Sequence, residues 1–144
     1  MNATRREILS YAAAALAALA AGLSGLLPVR SARAANGTQL AIALFTKGAL
    51  PLEGGVRIEA PEIADNGGAV PVRVSAEGAR RIALFADGNP SPGVAVFTFG
   101  QWVTPTASTR IRLAGSQKLV AVAEMADGTF RTTFRAIKVT AGGC

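Results

Sequence analysis

The stretch QKLVAVAEMADGTFRTTFRAIKV, residues 117–139, decides the fold. Leu119 to Met125 and Thr129 to Val139 are two runs rich in apolar, β-branched and aromatic residues, and between them stands Ala126-Asp127-Gly128. An Asp-Gly pair flanked by such runs predicts a β-hairpin, because these two residues tolerate the backbone angles of a tight reversal. In the second run the apolar phase changes. Phe130 and Phe134 share one parity, whereas Ile137 and Val139 share the other. Side chains alternate faces along a strand, so one extra residue, a bulge near Ala136, would reconcile the two.

Similar patterns recur toward the N-terminus. Val56, Ile58 and Ala60 alternate with Arg57 and Glu59 and predict a half-buried strand that ends at Pro61, with a turn at Asp65-Asn66-Gly67-Gly68. Val70, Val72 and Val74 alternate again, but Pro71 lacks the N–H of a sheet ladder, so this strand is expected at an edge or with its open side at residue 71. Ile82 to Ala86 is apolar on both parities and reads as a central strand, stopped by the turn cluster Asp87 to Gly93. Val94 to Phe99 follows as a strand, Gly100 to Ser108 as a loop holding the single tryptophan Trp102, and Arg110 to Ala114 as a strand with Ile111 and Leu113 facing in. Asn36 to Pro51 fits a short helix or a first strand. About seven short strands with frequent turns indicate an all-β fold, an immunoglobulin-like antiparallel β-sandwich.

The first 34 residues read as a leader. Arg5 and Arg6 precede an apolar stretch from Tyr11 to Leu27, Pro28 follows, and Ala32-Arg33-Ala34 has the form of a cleavage triplet. Paired arginines before a weakly hydrophobic, Ala-rich core point to the twin-arginine (Tat) export route and a periplasmic location. The stretch falls near or below the length that spans a bilayer, so no membrane attachment is expected once it is cleaved near Ala35. The organisation is then a leader at 1–34, one domain at 35–140 and a tail at 141–144. Of the fifteen basic and nine acidic residues, four arginines and one glutamate belong to the leader, and the net charge falls from +6 to +3. With no basic run and few aromatics, nucleic-acid binding is not expected.

The chain has no histidine and one cysteine. The commonest general base and most metal sites are therefore missing, and neither a cofactor nor a metal is implied. Carboxylates such as Glu59, Asp65, Asp87, Glu124 and Asp127 sit beside turns or on polar strand positions, where solvation and turn hydrogen bonds account for them. Cys144 follows Gly142 and Gly143, the most permissive spacer available, and is expected on a flexible arm within reach of other molecules. In an oxidising compartment an unpaired thiol is either reactive or bonded to another chain. An arm without a fixed base cannot hold catalytic geometry, so a substrate-bearing thiol fits better than a thiol enzyme. A structural module whose cysteine only forms an intersubunit disulfide stays open.

Several segments resemble the SoxY family, the sulfur-carrying subunits of periplasmic SoxYZ complexes. They are Ala60-Pro61-Glu62-Ile63-Ala64-Asp65-Asn66-Gly67, Val70-Pro71-Val72-Arg73-Val74, Asn89-Pro90-Ser91-Pro92, Thr109-Arg110-Ile111-Arg112-Leu113-Ala114, residues 117–130, and Lys138-Val139-Thr140-Ala141-Gly142-Gly143-Cys144. The resemblance implies a carrier acted on by separate enzymes rather than an enzyme. Cys144 would be the site of covalent sulfur attachment, with Gly142 and Gly143 as its arm. It also implies a SoxZ-like partner in a heterodimer, transient contacts with SoxAX-, SoxB- and SoxCD-like enzymes, and thiosulfate-derived sulfur as cargo. Family members typically end GGCGG, whereas this sequence stops at Cys144. A carboxylate on the cysteine itself would disfavour the thiolate and raise the thiol pKa.

Overall fold

The computed structural model describes residues 29–140. The leader up to residue 28 and the tail 141–144 lie outside the described residues. Among the described residues one α-helix, α1 (Val29–Thr46), is followed by nine strands: β1 (Leu52–Glu53), β2 (Arg57–Glu59), β3 (Ile63–Ala64), β4 (Val70–Ser75), β5 (Ala79–Ala86), β6 (Gly93–Thr98), β7 (Thr106–Ile111), β8 (Gln117–Met125) and β9 (Phe130–Val139). Seven of these have three residues or more and form the expected sandwich. One sheet runs β1-β9-β8-β5-β6 with β3 also paired to β9, and the other runs β2-β4-β7. The longer strands pair antiparallel, while the two-residue β1 and β3 lie parallel to β9.

The core between the sheets comes from alternate residues on facing strands. Ile82 and Leu84 of β5, Leu119, Ala121 and Ala123 of β8, and Ile137 of β9 meet Val70, Val72 and Val74 of β4, with Ile58, Ile111 and Leu113. Each fully buried aliphatic side chain of this size contributes roughly 1.5–3 kcal/mol. The intervening residues of the same strands are buried too. Ala83, Phe85 and Val122 form a second apolar layer with Ala41, Ile42 and Phe45 of α1, joined by Val120 and Phe130. The Phe45 ring meets Phe85 and Phe130 edge-on at 6.4 and 6.0 Å, and the Arg81 guanidinium lies 4.9 Å above it while pairing with Glu124. The helix closes with Gly48 N–H donating to the Ala43 carbonyl at 2.8 Å, after Lys47 turns left-handed at φ 55°.

This second layer replaces the bulge expected near Ala136. The β8–β9 register is unbroken from Gln117↔Ile137 to Glu124↔Phe130. The apolar parity switches because the two halves of β9 face different partners, Phe130 the helix and Ile137 the sandwich interior. Irregular pairings fall on β5 instead, between Ala79 and Arg81 and between Leu84 and Phe85. The strand expected over Arg110–Ala114 starts earlier, at Thr106, because β7 pairs with the whole length of β4, and Leu113 is buried just beyond its end. Pro71 lies in the middle strand of its sheet rather than at an edge. It pairs with Arg110 but stands past Glu59↔Arg73, the last pairing with β2, so that flank carries no ladder for it to interrupt.

The Asp-Gly hairpin is tied by Met125 N–H to the Thr129 carbonyl at 2.8 Å and Gly128 N–H to the Met125 carbonyl at 3.0 Å, with Gly128 at φ 83°. Asp127 Oδ1 accepts from the Thr129 hydroxyl at 2.7 Å and the Thr129 amide at 2.9 Å, and these bonds hold its carboxyl below the ordinary aspartate range. A depressed folded value means that the carboxylate's contribution is complete above the unfolded pKa and is lost as pH falls through the folded one. Asp127→Ala should therefore destabilise the protein at neutral pH, with the gap to wild type closing in strong acid, read from urea unfolding across pH. Phe45→Ala should cost roughly 2–3 kcal/mol, less than the ~3–5 kcal/mol of a fully buried aromatic because the ring is only partly buried. Urea unfolding would measure it, with the strand signal in circular dichroism retained.

Candidate functional site

The predicted attachment residue Cys144 and its spacer Gly142 and Gly143 lie outside the described residues, so the site is approached through the segment that launches them. Every residue of that segment is fastened. Lys138 N–H donates to the Glu62 carbonyl at 2.9 Å and Thr140 N–H to the Ala64 carbonyl at 3.1 Å. Between them, Val139 N–H donates to Ser116 Oγ at 2.9 Å, and the Ser116 hydroxyl lies 3.4 Å from the Val139 carbonyl. These bonds come from two sides: the chain at β3 on one edge of β9, and Ser116 in the loop before β8 on the other.

A close approach of backbones supports this root. Leu113 N–H donates to the Gly67 carbonyl at 2.8 Å. A Cβ on Gly67 would sit 2.5 Å from the Leu113 carbonyl oxygen and 3.1 Å from Val139 Cγ1. Glycine is required here for space, since a methyl group cannot share it with a backbone oxygen. The adjoining Asn66 side chain accepts from Gly68 N–H at 2.7 Å and caps the short 3-10 turn Gly67–Ala69 that leads into β4.

Two further loops at this end are tied together by side-chain amides. Asn89 Nδ2 donates to the Arg112 carbonyl at 2.8 Å, while Asn89 Oδ1 accepts from Ala114 N–H and from Gln117 Nε2, both at 3.0 Å. Gln117 Oε1 accepts from Gly88 N–H at 2.8 Å, and Asp87 Oδ1 accepts from Lys118 N–H at 2.8 Å. The turn cluster Asp87 to Gly93 was legible in the sequence as a turn. That its side chains clasp the loop from Arg112 to Gln117 was not, since a turn residue's composition does not reveal which loop stands opposite.

The opposite end of the sandwich is different. An open cleft of about 1100 Å³ there is bordered by Val56, Arg57, Trp102, Pro105, Met125 and Arg131, and Trp102 is 96% exposed. Among the described residues no group of three or more Cys, Asp or Glu is placed to hold a metal ion, and no helix is long and apolar enough to cross a membrane. What the site end of the sandwich does show is a firmly held segment: residues up to Thr140 are bonded to their neighbours, and the sequence places a thiol four positions later.

Comparison with known proteins agrees with that geometry. The family model for the sulfur oxidation protein SoxY matches residues 41–144. The solved structure of the sulfur carrier protein SoxY from Chlorobium limicola f thiosulfatophilum is 34% identical, with a TM-score of 0.70, covering 78% of this chain and all of that one. A superoxide reductase (neelaredoxin) from Ignicoccus hospitalis, 24% identical with a TM-score of 0.53 over 60% of this chain and 80% of its own, shares the fold alone. No curated protein sequence matches.

Gly67→Ala should displace the Leu113 carbonyl and loosen the root, at a cost of roughly 1–3 kcal/mol. Hydrogen exchange should accelerate at Leu113, Val139 and Thr140 and leave the β5–β8 pairing unchanged; equal protection in the variant would mean that the close approach does not hold the root.

Proposed function

The chain belongs to the SoxY family of sulfur-oxidation proteins, and on that premise we propose that it carries sulfur intermediates covalently on Cys144 while separate enzymes act on them. The single observation that best supports this reading is the fastened root. A carrier has to present its thiol at a reproducible place on its surface, and Lys138, Val139 and Thr140 are each bonded to a neighbouring segment. Beyond them Ala141 to Cys144 spans at most ~14 Å when extended, at ~3.3–3.6 Å per residue. That suffices for a thiol to enter a narrow channel in a partner while the sandwich stays outside.

The chemistry is that of thiosulfate. The Cys144 thiol joins the outer sulfur of thiosulfate, releasing one proton and two electrons and leaving –S–S–SO₃⁻ on the arm; the electrons go to a partner oxidoreductase of the SoxAX type. Water then cleaves the terminal S–S bond in a SoxB-type hydrolase. Sulfate leaves, two protons are released, and a persulfide anion stays on Cys144. A SoxCD-type dehydrogenase takes the remaining sulfane sulfur further. This protein supplies the attachment point and the reach, not the electron acceptor or the hydrolytic base. A SoxZ-like subunit is its heterodimer partner, and the twin-arginine leader at 1–34 delivers it to the periplasm. Cleavage near Ala35 falls within α1, ahead of the buried Thr38 and of the apolar side chains Ala41, Ile42 and Phe45 that pack on the sheet.

Intact-mass spectrometry of protein recovered from thiosulfate-oxidising cells should show thiosulfonate and persulfide adducts that map to Cys144. Cys144→Ser should abolish both the adducts and sulfur oxidation supported by the protein. Oxidation that persists in this variant sinks the carrier reading. Recovery of the wild type as a disulfide-linked dimer alone would favour the subunit-linking role for the cysteine.

A further inference from the structure

The outer face of the three-stranded sheet carries arginines in an ordered pattern. On β4 the residues opposite to the core-facing valines are Pro71, Arg73 and Ser75, and their partners on β7 are Arg110, Ser108 and Thr106. On β2 the outward residues Arg57 and Glu59 pair with Ser75 and Arg73. Arg57, Arg73 and Arg110 are thus successive diagonal neighbours across three strands, each step ~7–8 Å between Cα atoms. Among the described residues, none of the three forms an ion pair within 4.0 Å of a carboxylate, although Glu59 stands directly across from Arg73. Where Arg73 and Arg110 meet, the surface dips into a groove of about 520 Å³ walled by Pro61, Pro71, Ser108 and Glu59.

We propose that this groove binds the sulfonate end of the cargo carried on Cys144, a resting dock for the loaded arm. The proposal rests on the carrier reading above. The charge is complementary, since the group –S–S–SO₃⁻ presents three equivalent oxygens, and a guanidinium donates to such oxyanions in pairs of parallel hydrogen bonds. The Ser108 hydroxyl adds a donor. Glu59 is the opposing charge, and it biases the anion toward Arg110, the member of the pair farther from β2. The position is also right. Lys138 in the arm root is bonded to Glu62, whose chain neighbour Pro61 forms the groove wall. Ala64, bonded to Thr140, is three residues from Pro61, or about 10 Å of extended chain, against the ~14 Å that residues 141–144 can span. Two glycines before the cysteine permit the arm to double back over its own root. Docked in this way, the sulfane bond lies against the protein between enzyme encounters and is less open to stray thiols.

Tetrathionate loads the arm without any enzyme: the Cys144 thiolate displaces thiosulfate from it and keeps –S–S–SO₃⁻, which the mass confirms. In protein with ¹⁵N-labelled arginine, loading should shift the Nε–H signals of Arg73 and Arg110, and carbamidomethylation of Cys144, which adds no charge, should not. The exposed double variant Arg73→Gln/Arg110→Gln should fold normally and load equally, yet lose its thiosulfate to glutathione roughly threefold to tenfold faster, the scale of one charge-assisted contact. Loading without those shifts, or equal release rates, sinks the groove and leaves the carrier reading standing. Shifts produced in Cys144→Ser by free thiosulfate at the protein's concentration, with none from the loaded arm, also overturn it. Refusal of Cys144 to accept the group would sink both.

Discussion

The register between β8 and β9 is the constraint on which the other features depend. Once Gln117 is set against Ile137 and Glu124 against Phe130, alternate residues of both strands are committed to opposite faces, and one rung of slippage would exchange them. Leu119, Ala121 and Ala123 then face the second sheet, while Val120 and Val122 face the helix. The same register decides where β9 stops relative to its neighbours. Lys138 and Thr140 reach the chain around β3, and Val139 reaches Ser116, only because the ladder delivers them to that level.

Burial of the large sheet on both faces explains its composition. The sandwich side of β8 uses leucine and alanine, the helix side valine, and the central positions of β5 and β8 are shut off from water on either side. Small residues are needed there because two layers, the facing sheet and α1, press on the same strands. The three-stranded sheet has only one buried face, and its outward positions are free to carry arginine, serine, threonine and proline. This asymmetry between the sheets leaves Arg57, Arg73 and Arg110 against the one outward Glu59 on β2, β4 and β7, on the side of the molecule away from the helix.

Much of the fold was legible because its signals are local. The Asp-Gly turn, the Val70-Val72-Val74 alternation and the apolar run at Ile82 to Ala86 each point to one answer, and the structure has a strand or turn at each. What was not legible depends on neighbours distant in sequence. The phase change in β9 suggested a bulge, since a strand with one buried face was assumed; the second face is buried by a helix some eighty residues earlier in the chain. Thr106 to Ser108 fell within the expected loop Gly100 to Ser108, yet pairing along β4 makes it strand. The parallel two-residue pairings of β1 and β3 have no period to detect. At the site Cys144 was singled out by residue type and placement and lies outside the described residues, whereas Gly67, Asn89 and Ser116 looked like ordinary turn residues. Their roles depend on backbones brought together from three loops.

The way in which β9 is held has a mechanical consequence. A force applied beyond Thr140 and directed along β9 pulls along the axis of the strand. The eight registered positions between β8 and β9 then bear the load together, in shear, and the short parallel pairing of β3 shares it at the point of entry. A terminal strand pulled sideways would instead unzip one hydrogen bond at a time. Traction along β9 is thus met by the strongest direction of the sheet.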